Sequence, residues 1–442
     1  MQFEWPLARL GDHVDACLGK MLDAKKNKGE LQPYLGNVNV RWGAFDLTDL
    51  AEMRFEAHEE ARYSLKPGDL VVCEGGEPGR CAIWTDVVPR MIQKALHRIR
   101  AKSSLDNYYL FYWFRHAANV GLLEPHFTGT TIKHLTGKAI AALQIPLPPV
   151  ATQRSMVEVL RQLDDRIDLL RQTNTTLESI AQALFKSWFI DFDPVKAKAE
   201  GREPEGMDVE TAALFPSEFE ESELGRIPMG WSVKRIEEVA ERIGMGPFGS
   251  NIKVSTFVDA GIPVLSGACL KGVLLEDDAF RYISPEHAAR LSGALVSEGD
   301  IVITHRGTLG QVSLVPKGSA YPTYVLSQSQ FFVRAKADAT TPEYLNYFLR
   351  SPRGQHLLLA NASQVGVPSI SRPVSYLRSI RLVVPPGSIS STFSAALVAI
   401  HNRVMATRRH SHLLVQVRDA LLPRLISGKL RLAEAQDEIA AI

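Results

Sequence analysis

Two stretches of the chain carry apolar residues at alternating steps of four and three. In the first, Met156, Leu160, Leu163, Ile167, Leu170, Asn174, Leu177, Ala181, Leu184 and Trp188 hold one frame. In the second, Phe393, Leu397, Ile400, Val404, Thr407, Ser411, Leu414, Arg418, Leu421 and Leu425 hold it again. This is the a/d seam of a heptad helix, sustained in each case for more than four heptads. Asn174 is the one polar member of the first seam, and a buried Asn of this kind fixes register. Ser411 stands in the same place in the second, where Thr407 and Arg418 weaken the stripe. Pro148-Pro149 and a Thr152 N-cap predict the first helix start. A helix from Thr152 to Ile190 would span roughly 55–60 Å. Pro423 is expected to kink the second helix near its end, and Ser427-Gly428 to stop it.

Outside the seams the pattern changes to short β-like runs punctuated by Gly and Pro. Leu70 to Cys73, Ala82 to Trp84 and Leu143 to Leu147 read as strands, and the aromatic run Asn107 to His116 as a helix. Tyr108, Tyr109, Tyr112 and Trp113 read as packing groups. Asp191 to Ile227, rich in Glu, Pro and Gly, reads as an extended polar connector.

The chain also repeats itself. Trp5 recurs as Trp231, Gly68-Asp69 as Gly299-Asp300, and Gly76 and Gly79 as Gly307 and Gly310. Arg100-Ala101-Lys102 recurs as Arg334-Ala335-Lys336, Tyr109 as Tyr344 and Arg166 as Arg403. The predicted organisation is therefore a globular domain (1–150), a helix (151–192), a linker (193–226), a second globular domain (227–387), a second helix (388–430) and a tail (431–442). The fold class is mixed α/β (α+β), with two similar domains on a pseudo-twofold repeat. Each helix needs an apolar partner. It could pack on its own domain or form a homodimer, but the matching seam lengths and polar positions favour an intramolecular antiparallel coiled coil. A rod of that length matches on the order of 16 base pairs of B-DNA.

Composition narrows the setting. The 442 residues are 45% hydrophobic and 22% charged, which suits globular domains. No apolar run reaches membrane-span length, and Met1 to Leu10 lacks an apolar signal core. The four cysteines, Cys17, Cys73, Cys81 and Cys269, match no zinc spacing and suggest a reducing cytoplasm. A net charge of +1 means that any grip on nucleic acid is local or shared with a partner.

The chain lacks GxxxxGK[ST], HExxH and GxSxG motifs. Its histidines have no metal-ligand spacing, so no metal is expected. Gly75 to Gly79 and its counterpart Arg306 to Gly310 lie between two β-like runs. That placement points to hairpin turns rather than a dinucleotide site. Arg80, with Glu74 and Glu77, and in the second copy His305, Arg306, Thr308 and Gln311, are side chains suited to base edges or phosphates. Further candidates are Lys25, Lys26 and Lys28; Thr130, Thr131, Lys133 and His134; Asn251 and Lys253; and Ser369 and Arg372, with Gln364 and Ser371 beside them.

Taken together, these pieces resemble one family. Ile145-Pro-Leu-Pro-Pro-Val-Ala-Thr-Gln-Arg154, Leu163-Asp-Asp-Arg-Ile167 and Ala183 to Asp193 look like the first conserved region of type I restriction–modification specificity subunits. Phe215 to Gly225 with Ile227 to Trp231 resembles its junction into the second half. Gly299 to Ile303 with Arg306 to Gly310 resembles a target-recognition loop, and Ala420 to Lys429 the end of the second conserved region. Gly387 to Ser391 departs from the Ala-Thr-Gln-Arg pattern.

The resemblance implies a non-catalytic subunit in which each target-recognition domain reads half of a bipartite, asymmetric double-stranded DNA site. The coiled coil would set the spacer and dock two methyltransferase subunits for adenine-N6 modification. Two restriction subunits are an optional addition that brings ATP-dependent translocation and cleavage. S-adenosylmethionine and ATP/Mg would bind those partners, with no cofactor on this chain. A coiled-coil scaffold that does not read DNA is one alternative. A stand-alone DNA methyltransferase is another, but Pro148-Pro149 and Pro385-Pro386 lack the Asn or Asp before and the aromatic after that such a catalytic turn requires.

Overall fold

Asp69 and Asp300, the acidic residues of the recurring Gly-Asp pair, each hold an arginine in a two-pronged ion pair. Arg100 Nε and Nη2 donate to Asp69 at 2.7 and 2.9 Å. Arg334 Nε and Nη2 donate to Asp300, both at 2.7 Å. Both carboxylates are buried, where the matching fork and the added backbone donors Lys66 N and Ser297 N offset the loss of water. Each pair ties together neighbouring strands of a four-stranded antiparallel sheet.

In a computed structural model, which describes residues 4–277, 280–363 and 366–440, the chain divides into two units. One is Met1–Leu170 with Arg409–Ile442, and the other is Arg171–Arg408. The sheet of the first unit runs Val14–Leu18, Leu96–Ala101, Leu70–Cys73, Cys81–Ile83. In the second unit it runs Ala240–Met245, Gln330–Ala335, Asp300–Thr304, Val312–Leu314, the same order with the same antiparallel pairing. A smaller sheet accompanies each. It has three strands in the first unit, with Glu30–Leu35 parallel to Met91–Ile92, and five in the second, with Ile262–Leu265 parallel to Tyr324–Leu326.

The aromatic run forms the helix Asn107–Asn119, capped by Asp106, and its counterpart is Pro342–Arg350, capped by Thr341. Tyr109, Tyr112 and Trp113 are buried, as their packing role requires. Tyr109 Oη donates to Pro146 O at 2.9 Å, and Tyr344 Oη donates to Val383 O. In this way each aromatic helix is tied to a strand that leads into a long helix.

The long helices are Val150–Phe189 and Gly387–Ser427. Thr152 is not an N-cap. The helix begins two residues earlier because Pro149 O already accepts from Gln153 N at 3.0 Å. The second helix runs on through Pro423 and stops at Gly428, whose φ is +82.

Within the first unit, Met156, Leu160, Leu163, Ile167 and Leu170 share a core with Leu414, Leu421 and Leu425. Within the second, Ala181 and Phe185, with Leu177 and Leu184 packed against them, share a core with Phe393, Leu397 and Val404, joined by Ile400. The pairing is antiparallel: Asp164 meets Arg418, Asn174 meets Thr407, and Phe185 meets Phe393.

Two expectations are corrected here. Thr407 and Arg418 do not weaken the seam, because each has a polar partner on the other helix. Thr407 Oγ1 donates to Asn174 Oδ1, and Arg418 Nη1 donates to Asp164 Oδ1 at 2.6 Å. Ser411 is buried one turn further along, in the first unit. Nor is Asp191 to Ile227 an extended connector. It folds into helices Asp193–Ala199 and Val209–Ala213 and a hairpin of Phe219–Ser222 with Gly225–Pro228. Val195, Phe215 and Ile227 enter the core of the second unit. The tail also folds, as the helix Leu432–Ala440.

Candidate nucleic-acid interface

The recurring glycines sit in hairpin loops between the third and fourth strands of each four-stranded sheet. Gly76 and Gly79 have φ of +81 and +92, and Gly307 and Gly310 have +91 and +82. An L side chain there would be strained. At Gly79 a Cβ would also lie 2.5 Å from Leu123 Cδ1.

Two backbone bonds staple each hairpin loop to its neighbours, and they recur in both units. In the first unit Glu74 N donates to Ala95 O and Leu135 N donates to Glu74 O, each at 2.8 Å. In the second, His305 N donates to Ser329 O and Ile370 N donates to His305 O, each at 2.9 Å. A third bond brings in the turn that follows the first strand. Gly19 N donates to Leu96 O at 2.9 Å, and Gly246 N donates to Gln330 O at 2.8 Å. Each unit therefore gathers three loops at one end of its sheet. They are 20–29, 74–80 and 128–135 in the first unit, and 246–253, 305–311 and 366–372 in the second.

This gathering brings most of the candidate residues together. Lys25, Lys26 and Lys28 are exposed on a turn where Asp23 accepts from Lys25 N and Lys26 N at 3.1 Å. Thr130, Thr131 and Lys133 are exposed, and Lys133 Nζ lies 5.9 Å from the Phe127 ring centre. His134 is half-buried, close enough that a Cβ on Gly75 would sit 3.2 Å from its Nδ1. In the second unit Asn251, Lys253, Arg306 and Thr308 are exposed. Ser369 is half-buried and bridges to Arg306. Arg372 is exposed with φ of +46, a left-handed non-glycine residue directly before Pro373. Gln364 lies outside the described residues.

Three candidates face inward. Arg80 Nη1 donates to Glu77 at 2.9 Å and its Nη2 to Asn37 O at 2.9 Å. Gln311 Nε2 donates to Gly267 O at 2.9 Å, and its Oε1 accepts from Thr304 Oγ1 at 3.0 Å. His305 is buried, with Nε2 3.2 Å from Gln328 O and its ring 5.9 Å from that of Phe331. Burial holds its pKa below the usual histidine value. These side chains shape the loops, and the groups left open to a ligand are chiefly cations, hydroxyls and amides. The sequence reading missed Asn37, Gln328 and Trp42, whose Nε1 donates to Glu77 at 2.7 Å. Each comes from a separate segment, and no local pattern marks them.

Among the described residues Glu56, His58 and Glu59 bring three possible ligand atoms within 4.8 Å. Glu59 already accepts from Lys20 Nζ and Glu56 N. No helix among the described residues is long and apolar enough to cross a membrane.

Comparison with known proteins points to relatives of one kind. Residues 5–179 match the family described as type I restriction modification DNA specificity domain. The chain is 27% identical to the type I restriction enzyme HindI specificity subunit of Haemophilus influenzae, over 68% of this chain and 72% of that protein. It is 24% identical to the MjaIX specificity subunit of Methanocaldococcus jannaschii, over 78% of this chain and 74% of that protein. Its fold resembles the crystal structure of a type I restriction–modification S subunit from M. genitalium, with a TM-score of 0.52 and 13% identity over 96% of each chain. With two repeated domains, paired long helices and relatives of one kind along its length, the chain is similar to type I restriction–modification specificity subunits, and its residues 5–179 match their DNA specificity domain.

Proposed function

We propose that each unit reads one half of a bipartite, asymmetric DNA site through its three stapled loops. The paired helices set the spacer between the halves and dock two methyltransferase subunits, which methylate adenine at N6. Restriction subunits join through these when present. The methyl donor S-adenosylmethionine and ATP/Mg are handled by the partners, and the complex acts on cytoplasmic DNA. The observation that carries this reading is the recurrence of the same loop-stapling bonds in both units, with cations and hydroxyls left outward at each. Exposed cations supply phosphate contacts that position the protein, and hydroxyl and amide groups supply base readout worth about 1–3 kcal/mol per well-placed pair. The modest net charge of +1 fits a DNA grip shared with partner subunits.

The test is an exchange of residues 1–150 for the matching domain of another family member, followed by methylome sequencing of cells carrying the chimera. One half-site should change and the other should stay. An unchanged site in both halves would overturn the reading.

A further inference from the structure

Strand register fixes a correspondence that the sequence alone hides. In the first unit Arg100 pairs with Asp15 and His97 with Leu18. In the second, Arg334 pairs with Arg242 and Phe331 with Met245. Arg100 and Arg334 carry the same ion pair, so Leu18 and Met245 are equivalent strand ends. The next residues, Gly19 and Gly246, confirm the frame. A Cβ on Gly19 would lie 2.4 Å from Gln93 O, and one on Gly246 would lie 1.8 Å from Ser327 O. Two positions later stand Met21 and Phe248.

Both are large, apolar and uncovered. Met21 is 56% exposed and Phe248 86% exposed. Both sit on closed turns that hold their carbonyls. Asn27 Nδ2 donates to Met21 O at 3.0 Å, and Asn251 N donates to Phe248 O at 2.8 Å. Both are followed by exposed cations, Lys25, Lys26 and Lys28 in one turn and Lys253 in the other. An exposed apolar side chain is ordinary on its own. Here the same exposure recurs at one register position in two sequences that otherwise differ.

We propose that Phe248 and Met21 are wedges, each inserted at a base step of the half-site that its own unit reads. Apolar side chains used in this way unstack a step and bend the duplex, and nearby cations hold the phosphates on either side. The exposed apolar groups, Met21 with Leu22 in one turn and Phe248 with Val254 in the other, stand beside exposed lysines and no exposed carboxylate of the same turn, which is the chemistry of a nucleic-acid contact. The inference rests on the DNA-reading role above and adds the mode of contact.

The test uses the chain assembled with its methyltransferase subunits. Duplex oligonucleotides carry the site found by methylome sequencing, with 2-aminopurine placed in turn at each position other than the methylated adenine. The wild-type complex should raise fluorescence at one step in each half-site. Phe248→Ala should abolish the rise in one half-site and Met21→Ala in the other, each with a loss of affinity on the order of tenfold. Phe248→Leu should keep much of the signal. The wedge is overturned if both alanine variants leave fluorescence and affinity unchanged while both half-sites stay protected. It is also overturned if Phe248→Ala blocks assembly with the methyltransferase subunits, which would assign the side chain to a protein contact. A wild-type complex that protects no preferred sequence would bring down the DNA-reading role along with it.

Discussion

The aromatic helix of each unit is fastened to a long helix by a tyrosine at the same repeat position, but the acceptors differ. In the first unit Tyr112 Oη donates to Asp164 at 2.8 Å, and Asp164 also faces Arg418 at 2.6 Å and Arg115 at 3.7 Å. In the second, Tyr347 Oη meets His401 Nε2 at 3.2 Å, with the two rings stacked 6.1 Å apart. One joint is ionic and the other is a neutral stack. The repeat conserves the attachment and leaves its chemistry free, so the two units answer differently to charge and to acid.

The strongest way to break this comparison is at positions where the units agree. Asp69→Ala and Asp300→Ala each leave a partly buried arginine without its partner. Each should cost about 3–5 kcal/mol in its own unit, read by hydrogen exchange resolved along the chain. Unequal losses would show that the repeat is one of shape and not of energetics. Arg418→Met comes next. It leaves Asp164 with a weaker cation and should loosen the first unit by roughly 2–3 kcal/mol, with exchange in the second unit unchanged. A loss shared by both units would refute the ionic joint as local.

Acid sharpens the contrast. Burial pushes His401 down to about 4, with Arg408 adding to the effect, and burial likewise pushes His97 in the first unit down to about 4. Unfolded histidine titrates near 6.5, so the unfolded chain binds the extra proton first. Stability is then complete above about pH 6.5 and falls as pH drops towards 4, by roughly 3 kcal/mol per group. His401→Phe keeps the stack, costs about 1 kcal/mol at neutral pH through the lost bond, and should reduce the acid sensitivity of the second unit, where buried His305 still contributes, while leaving that of the first unchanged. A full acid response in that variant would place the titration elsewhere. The smallest effect belongs to Thr407→Val, which removes the partner of Asn174. It should cost about 1 kcal/mol in thermal unfolding, and no cost would deny the polar layer a part in holding register.

The seams, the hairpin glycines and the domain repeat were legible because each leaves a periodic or recurring mark. Met156 to Leu170 could be read as one face of a helix from spacing alone. Arg418 could not, because a lone charge in an apolar seam looks like a defect until its partner is seen 254 residues away. The segment after Asp191 misled for a related reason. Val195 and Phe215 are single apolar residues without period, yet both are buried. In the loops, residue type was readable and direction was not. Arg80, His305 and Gln311 have the same chemistry as Arg306 and Lys133. Asn37, Gln328 and Gly267, from distant segments, turn the first three inward.

The first unit is assembled from both ends of the chain. Leu414, Leu421, Leu422, Leu425, Ile426 and Leu430 line the core that Leu10 and Val14 begin, and Glu4 N donates to Ser427 O at 2.9 Å. During synthesis, then, the domain translated first is the one finished last. The second unit can close while its elder sibling still waits on the ribosome for a missing wall. A chain broken off in its final tenth would carry the damage in the half that was made first.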